Sequence, residues 1–242
     1  MGVWEALLWG AFTSASLYIG EALAGPMASR VRATGLIMGF GAGTMLSAVA
    51  YELVPETSFD DGWGIALAFL IGTVTYFAGD WLVDRSGGEA RQDIGEGGEG
   101  GSGAAMFLGA MLDGLPEALV LGITLALGGS VSLAFVAAVF ISNIPQGIAG
   151  TTSLKQAGYT DRHVFWMWTA LTVACAITAA LGFAFADALP DQGLYAEAFA
   201  AGAVLTMLAN SMMPEAFQHG GKTVGLLTVL GYLVAAALTV LQ

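Results

Sequence analysis

Residues 111–122 read MLDGLPEALVLG, and residues 140–152 read FISNIPQGIAGTT. Each stretch places a proline and several polar side chains inside an otherwise apolar run. Polar groups deep in a bilayer helix are costly and usually functional. These two stretches therefore decide how the chain is organised: their apolar context predicts a membrane protein, and their polar residues mark its centre.

The composition is that of an integral membrane protein. The 242 residues are 56% hydrophobic and 11% charged, with a mean hydropathy of +0.74. Soluble domains carry about 25% charged residues, so the charges are too few to cover a water-facing surface. The single cysteine, Cys175, lies in an apolar run and can form no internal disulfide. We expect one integral unit, a multi-pass protein of the cell membrane.

Eight apolar runs have the length of about 20 residues that a membrane-spanning helix needs. They cover residues 3–23, 35–54, 64–83, 104–127, 131–152, 164–185, 194–213 and 223–241. The stretch 84–103 ends in GEGGEGGSG, a composition typical of a flexible linker. The sequence therefore predicts an all-α integral membrane fold with eight transmembrane helices, in one domain that covers residues 1–242.

The basic residues set the predicted orientation. They are Arg30, Arg32, Arg85, Arg91, Lys155, Arg162 and Lys222. With eight spans, all of them fall on one side of the membrane, in the loops after the first, third, fifth and seventh runs. Because Lys and Arg concentrate in cytoplasmic loops, both termini are predicted to lie outside. The 84–103 linker is then cytosolic.

The fourth run carries two carboxylates. Asp113 and Glu117 are four residues apart and therefore share one face of a helix. Two like charges in a low dielectric repel unless a cation or protons lie between them. The predicted spans contain no Lys or Arg deep enough to pair with them. Pro116 also leaves the Leu112 carbonyl without its usual donor. We interpret the two carboxylates as a cation site.

The fifth run offers uncharged oxygen donors. Ser142 and Gln146 are four residues apart, with Asn143 beside Ser142 and Pro145 before Gln146. The fourth and fifth runs cross in opposite directions, and paired, interrupted helices of this kind point to a midplane binding site in transporters. The second run adds lesser candidates. The predicted metal ligands are Asp113, Glu117, Ser142, Asn143, Gln146, Met45 and Glu52.

The second and seventh runs repeat a pattern. The second reads AGTMLSAVAYELVPE up to Glu56, and the seventh reads AGAVLTMLANSMMPE up to Glu215. Aligned on the Pro-Glu pair, Gly43 coincides with Gly202. These runs also cross in opposite directions. The pattern predicts a three-helix unit repeated in inverted form around a central two-helix unit.

Over essentially its whole length, the chain resembles the Zrt/Irt-like (ZIP) family of divalent metal transporters. Asp113-Gly114-Leu115-Pro116-Glu117 stands where the family's fourth helix carries His-Asn-x-Pro-Glu. Ser142-Asn143-Ile144-Pro145-Gln146 stands where its fifth helix has a similar motif ending in Pro-Glu. The resemblance implies a 3+2+3 inverted-repeat arrangement, both termini outside, a metal site that is often binuclear, and import of the ion.

The chain departs from the family at the residues that would bind metal. Neither motif contains histidine, Gln146 replaces a glutamate, and Gly114 replaces an asparagine. Zinc prefers nitrogen and sulfur ligands, whereas an all-oxygen set with two charges suits a harder ion. The expected substrate is therefore a divalent metal ion: Zn, Mn, Fe or Cd, with Mg and Ca also open.

We expect a cation transporter that works by alternating access, and no enzymatic activity. Its expected partners are metal ions and the lipid bilayer, with no nucleic acid, and its Gly-rich faces allow a homodimer. Two other hypotheses stay open. One is a non-transporting ion sensor or scaffold of the same fold. The other is an intramembrane aspartyl protease, for which Asp80 and Asp113 are available.

Overall fold

The computed structural model describes residues 2–53, 63–88, 103–128, 132–186 and 193–241. Within these ranges the chain is helical and no strand occurs, which confirms the predicted all-helical class. Most of the predicted linker at 84–103 lies outside the described residues.

The described residues form long α-helices that follow one another closely. From the N-terminus they are α1 Val3–Met27, α2 Val31–Ala48, α3 Trp63–Val83, α4 Gly103–Gly128, α5 Leu133–Gln156, α6 Asp161–Phe185, α7 Leu194–Met207, α8 Met213–Gly220 and α9 Thr223–Val240. Short π-helical turns extend α2 through Val49–Leu53 and join α7 to α8 through Leu208–Met212. Turns of this type occur frequently at functional sites.

Seven helical segments of the described chain are long and apolar enough to cross a membrane, judged by length and composition. They are Val31–Leu53, Trp63–Gly87, Gly103–Leu127, Leu133–Gln156, Asp161–Phe185, Leu194–Gly220 and Thr223–Val240. The least buried of them, α3 and α9, expose large apolar side chains such as Leu67, Val74, Leu226 and Val229. Such faces fit a lipid environment rather than water.

The first helix, α1, is 25 residues long but is not one of these seven segments. Its side chains Thr13, Ser14 and Ser16 lower its hydropathy, and all three are buried. Leu8 and Phe12 are exposed instead. The polarity of α1 therefore faces the protein interior, as in a membrane helix that packs its polar side inward. The prediction of eight spans stays a prediction.

Two helix pairs pack at backbone contact through glycines. α2 lies against α9, and α3 lies against α7. A methyl group added at Gly43 would overlap the carbonyl oxygen of Thr228, and one added at Gly202 would overlap that of Phe69. Small residues let membrane helices approach closely and gain van der Waals contact. Gly43 and Gly202, which coincide in the repeated sequence pattern, therefore each contact the backbone of a neighbouring helix.

The remaining long helices, α1, α4, α5 and α6, pack together as a bundle that contacts both pairs. Gly20 on α1 meets Gly147 on α5, and Gly122 on α4 lies beside Gly182 on α6. The proline-containing stretches of α4 and α5 therefore lie inside this bundle. This placement brings their polar side chains together.

We expect Gly43→Ala to lower the thermal unfolding midpoint of the purified protein in detergent. The added methyl group must push α9 away from α2, and overpacking of this kind costs about 1–3 kcal/mol. Gly25→Ala is the matched control, because nothing lies within 4 Å of the position its methyl group would take. Equal midpoints for the two variants would contradict the packing described.

Candidate metal site

A buried cavity of about 20 Å³ lies between α1, α4, α5 and α6. A volume of this size holds about one water-sized particle. The lining is polar in one part and apolar in another. The polar part is built from the middle of each of the four helices.

The helix α4 contributes both carboxylates to this cavity. Asp113 is 3% exposed and Glu117 is 2% exposed, and both line the cavity. Their spacing of one helical turn puts them on the same face, and α4 continues through Pro116 without ending. The structure therefore brings together the two residues that the sequence singled out most strongly.

The helix α5 contributes Asn143 and Gln146, together with Val139 and Gly150. These positions follow the three-and-four spacing of one helix face. Ser142 lies on a different face, because a methyl group added at Gly41 on α2 would lie 3.0 Å from the Ser142 Cα. The sequence paired Ser142 with Gln146, whereas the structure pairs Asn143 with Gln146 at the cavity.

The two candidates from the second run lie outside the cavity lining. Met45 is completely buried in the apolar core. Glu52 accepts a hydrogen bond from the Thr239 hydroxyl at 2.9 Å, at the far end of α9. Their part in metal binding stays a prediction to which the geometry adds no support.

A residue that the sequence reasoning missed, Tyr76, contacts the site. Its hydroxyl donates a hydrogen bond to Oδ1 of Asp113, and its side chain is 2% exposed. This bond joins α3 to α4. A phenol in the middle of an apolar run was the signal that could have found it, since a buried tyrosine usually has a hydrogen-bond partner.

Two polar side-chain atoms at the cavity have no hydrogen-bond partner among the residues that the structure describes. They are Oε1 of Glu117 and Nε2 of Gln146, and both are buried. The side-chain Nδ2 of Asn143 donates a hydrogen bond to the backbone oxygen of Thr13 at 3.3 Å. The side-chain oxygen Oδ1 of Asn143 takes no part in that bond. A buried polar group without a partner costs free energy. A cation in the cavity would remove this cost at Glu117.

Apolar side chains form the rest of the cavity wall. Met106, Leu154, Trp168 and Leu171 line this part. Trp168 is held in place by a hydrogen bond from its Nε1 to the Thr151 hydroxyl at 2.9 Å. The cavity therefore has a polar middle and an apolar wall toward the C-terminal ends of α1 and α5.

The described residues contain no group of three His, Cys, Asp or Glu side chains close enough to hold a metal ion. His163 lies beside Thr160 at the start of α6, and His219 pairs with Glu215 on α8. Neither histidine lines the cavity. Asp80, which the protease hypothesis needs beside Asp113, does not line it either.

We expect Glu117→Gln to leave the thermal unfolding midpoint of the metal-free protein unchanged or higher. The variant keeps the side-chain shape and replaces a buried carboxyl group that has no basic partner in the cavity lining, and a charge on such a group is costly. Asn143→Ala should instead lower the midpoint, because it removes the bond to Thr13, worth about 1 kcal/mol. A fall for Glu117→Gln as large as for Asn143→Ala would mean that the carboxylate has a structural role.

Comparison with known proteins gives a distant similarity. No family model matches the chain. A protein of Arabidopsis thaliana named "Putative zinc transporter" is 26% identical to it over 194 residues, which is 78% of this chain. The match spans 31% of that protein's length. Together with the seven apolar helices, this similarity supports a multi-pass membrane protein.

Proposed function

We propose that this protein transports a divalent metal cation across the membrane by alternating access and catalyses no reaction. The observation that carries the proposal is the buried, unpartnered carboxylate oxygen of Glu117, in a cavity that Asp113 also lines. Ionisable residues inside membrane helices mark ion pathways and binding sites. The similarity to a protein named as a zinc transporter supports a metal ion as the cargo.

The charge of the lining favours a cation. Among the described residues that form the cavity wall, two are acidic and none is basic. Carboxylates and amide oxygens are ligands for divalent ions. A dication between Asp113 and Glu117 would remove their mutual repulsion. An anion or a neutral solute would leave that repulsion in place.

The helix contacts support an inverted repeat. Exchanging the first three long helices with the last three, and α4 with α5, converts the α2–α9 pair into the α7–α3 pair. The same exchange converts the α1–α5 pair into the α6–α4 pair and relates the π-helical turn Val49–Leu53 to the π-helical turn Leu208–Met212. We therefore propose the ZIP-like 3+2+3 arrangement, with α1 as the eighth span and both termini outside.

The cavity and its surroundings belong to different helix groups. The bundle of α1, α4, α5 and α6 forms the cavity, while α2, α3, α7 and α9 pack around it as glycine-linked pairs. The Tyr76–Asp113 bond crosses the boundary between the two groups. Movement of one group against the other would expose the cavity to each side in turn. A cation that takes Oδ1 of Asp113 competes with Tyr76 for it.

We expect the purified protein in liposomes to take up at least one of Zn²⁺, Mn²⁺, Fe²⁺, Cd²⁺, Mg²⁺ and Ca²⁺. The double variant Asp113→Ala/Glu117→Ala should lose uptake by more than about tenfold, because a loss of only about 1.4 kcal/mol of binding already lowers affinity tenfold. Glu52→Gln is the matched control: it removes a carboxylate that bonds Thr239 outside the cavity.

The result that would overturn transport is folded protein that takes up none of these ions. In that case an ion sensor or scaffold of the same fold would become the better reading. An equal loss of uptake in the double variant and in Glu52→Gln would mean that the cavity is not the binding site.

Tyr76→Phe should lower the KM of uptake, because it removes the hydrogen bond that competes with the cation for Asp113. A hydrogen bond to a charged group is worth about 1.5–3 kcal/mol, so we expect a change of about tenfold or more. Tyr18→Phe is the control, since the Tyr18 hydroxyl bonds Thr169 at 2.9 Å, away from the cavity. A raised KM in Tyr76→Phe alone would mean that the phenol positions Asp113 for binding.

A further inference from the structure

Two side-chain atoms of opposite hydrogen-bonding character belong to the same cavity. Oε1 of Glu117, on α4, is a carboxylate oxygen that accepts hydrogen bonds, whereas Nε2 of Gln146, on α5, is an amide nitrogen that donates them. Both atoms are buried, and neither has a partner among the residues that the structure describes. Both side chains line the cavity between α1, α4, α5 and α6. One acceptor and one donor at this cavity therefore need a partner.

The chemistry of these two atoms selects the kind of ligand that satisfies both. A metal cation attracts the carboxylate oxygen of Glu117 but repels the amide hydrogens of Gln146. An anion does the reverse. A water molecule can donate to Glu117 and accept from Gln146 at the same time, and buried waters typically bond two to four otherwise unsatisfied polar groups. Water is therefore the simplest ligand that removes both costs.

The size of the cavity and the character of its wall fit this ligand. The volume of about 20 Å³ exceeds the roughly 10–15 Å³ that one water molecule needs. Met106, Leu154 and Leu171 form much of the remaining wall and offer no side-chain hydrogen bond. Trp168 uses its single donor, Nε1, in the bond to Thr151. A water molecule in the cavity is therefore directed toward the polar side chains of α4 and α5.

We infer that one water molecule binds between Oε1 of Glu117 and Nε2 of Gln146 in the cation-free protein. This water links α4 to α5, two helices that pack chiefly against other partners, α4 against α6 and α5 against α1. The arriving cation takes the place of the water, a step that rests on the proposed function. Binding of the cation therefore removes a link between α4 and α5.

Two methionines provide a matched test of the bound water. Met106 lines the cavity and is 4% exposed, whereas Met45 is 0% exposed and lies outside the lining. X-ray radiolysis turns bound water into hydroxyl radicals, which oxidise a neighbouring methionine to its sulfoxide. In purified, chelator-treated protein, Met106 should be oxidised severalfold faster than Met45. Radicals made chemically in the bulk solvent should oxidise both slowly, because both are buried. Equal, slow radiolytic oxidation of the two would overturn the inference.

The part played by Gln146 is tested by removing its donor. Gln146→Leu keeps much of the side-chain volume and deprives the water of one partner, so radiolytic oxidation of Met106 should slow toward the rate of Met45. Ser142→Ala is the matched control, because Ser142 bonds the backbone oxygen of Val139 at 3.0 Å and does not line the cavity. Oxidation of Met106 that stays fast in Gln146→Leu would overturn the bridge.

The same measurement separates the bound water from the proposed function. The ion with the fastest uptake into liposomes, added at saturating concentration, should slow the radiolytic oxidation of Met106, because it displaces the water. An unchanged rate would overturn the displacement. Fast oxidation of Met106 in folded protein that moves no ion would uphold the bound water and overturn transport. Slow oxidation in protein that does take up an ion would uphold transport and overturn the bound water.

Discussion

The rest of the structure depends on the burial of two acidic side chains, Asp113 and Glu117, with no basic side chain in the lining around them. Two carboxyl groups close together are unfavourable in an apolar bundle unless a cation, a proton or a hydrogen-bond donor lies beside them. The neighbouring side chains provide such groups only in part. Tyr76 supplies one donor to Asp113, while Glu117 keeps an oxygen without a partner. The fold therefore leaves one acidic side chain in this cavity only partly satisfied by its neighbours.

The packing of the surrounding helices stabilises the fold in spite of this buried acidic pair. Glycines at Gly43 and Gly202 bring neighbouring helices to backbone contact, and close packing of this kind stabilises membrane proteins that gain little from the hydrophobic effect. The polar side chains of α1, such as Thr13, face inward and bond backbone oxygens of the same helix. Rigid packing outside the cavity thus offsets the cost of unsatisfied groups inside it.

The sequence predicted the helical class and the carboxylate pair, because apolar run length and one-turn spacing are local properties. It could not predict which face of α5 meets the cavity. Ser142 and Asn143 are adjacent in sequence, and only the packing of α2 against Ser142 decides that Asn143 faces the site. Tyr76 was missed for a similar reason. It lies in an apolar run with no motif, and only the tertiary contact of α3 with α4 brings its hydroxyl to Asp113.

The small size of the cavity has a consequence for hydration. The cavity of about 20 Å³ has room for about one water-sized particle, so a cation and its full shell of water molecules do not fit in it together. A cation that entered the cavity would shed water at the entrance and regain it at the exit. Mg²⁺ dehydrates reluctantly, so the cost of dehydration would act against Mg²⁺ before any side chain touched the ion.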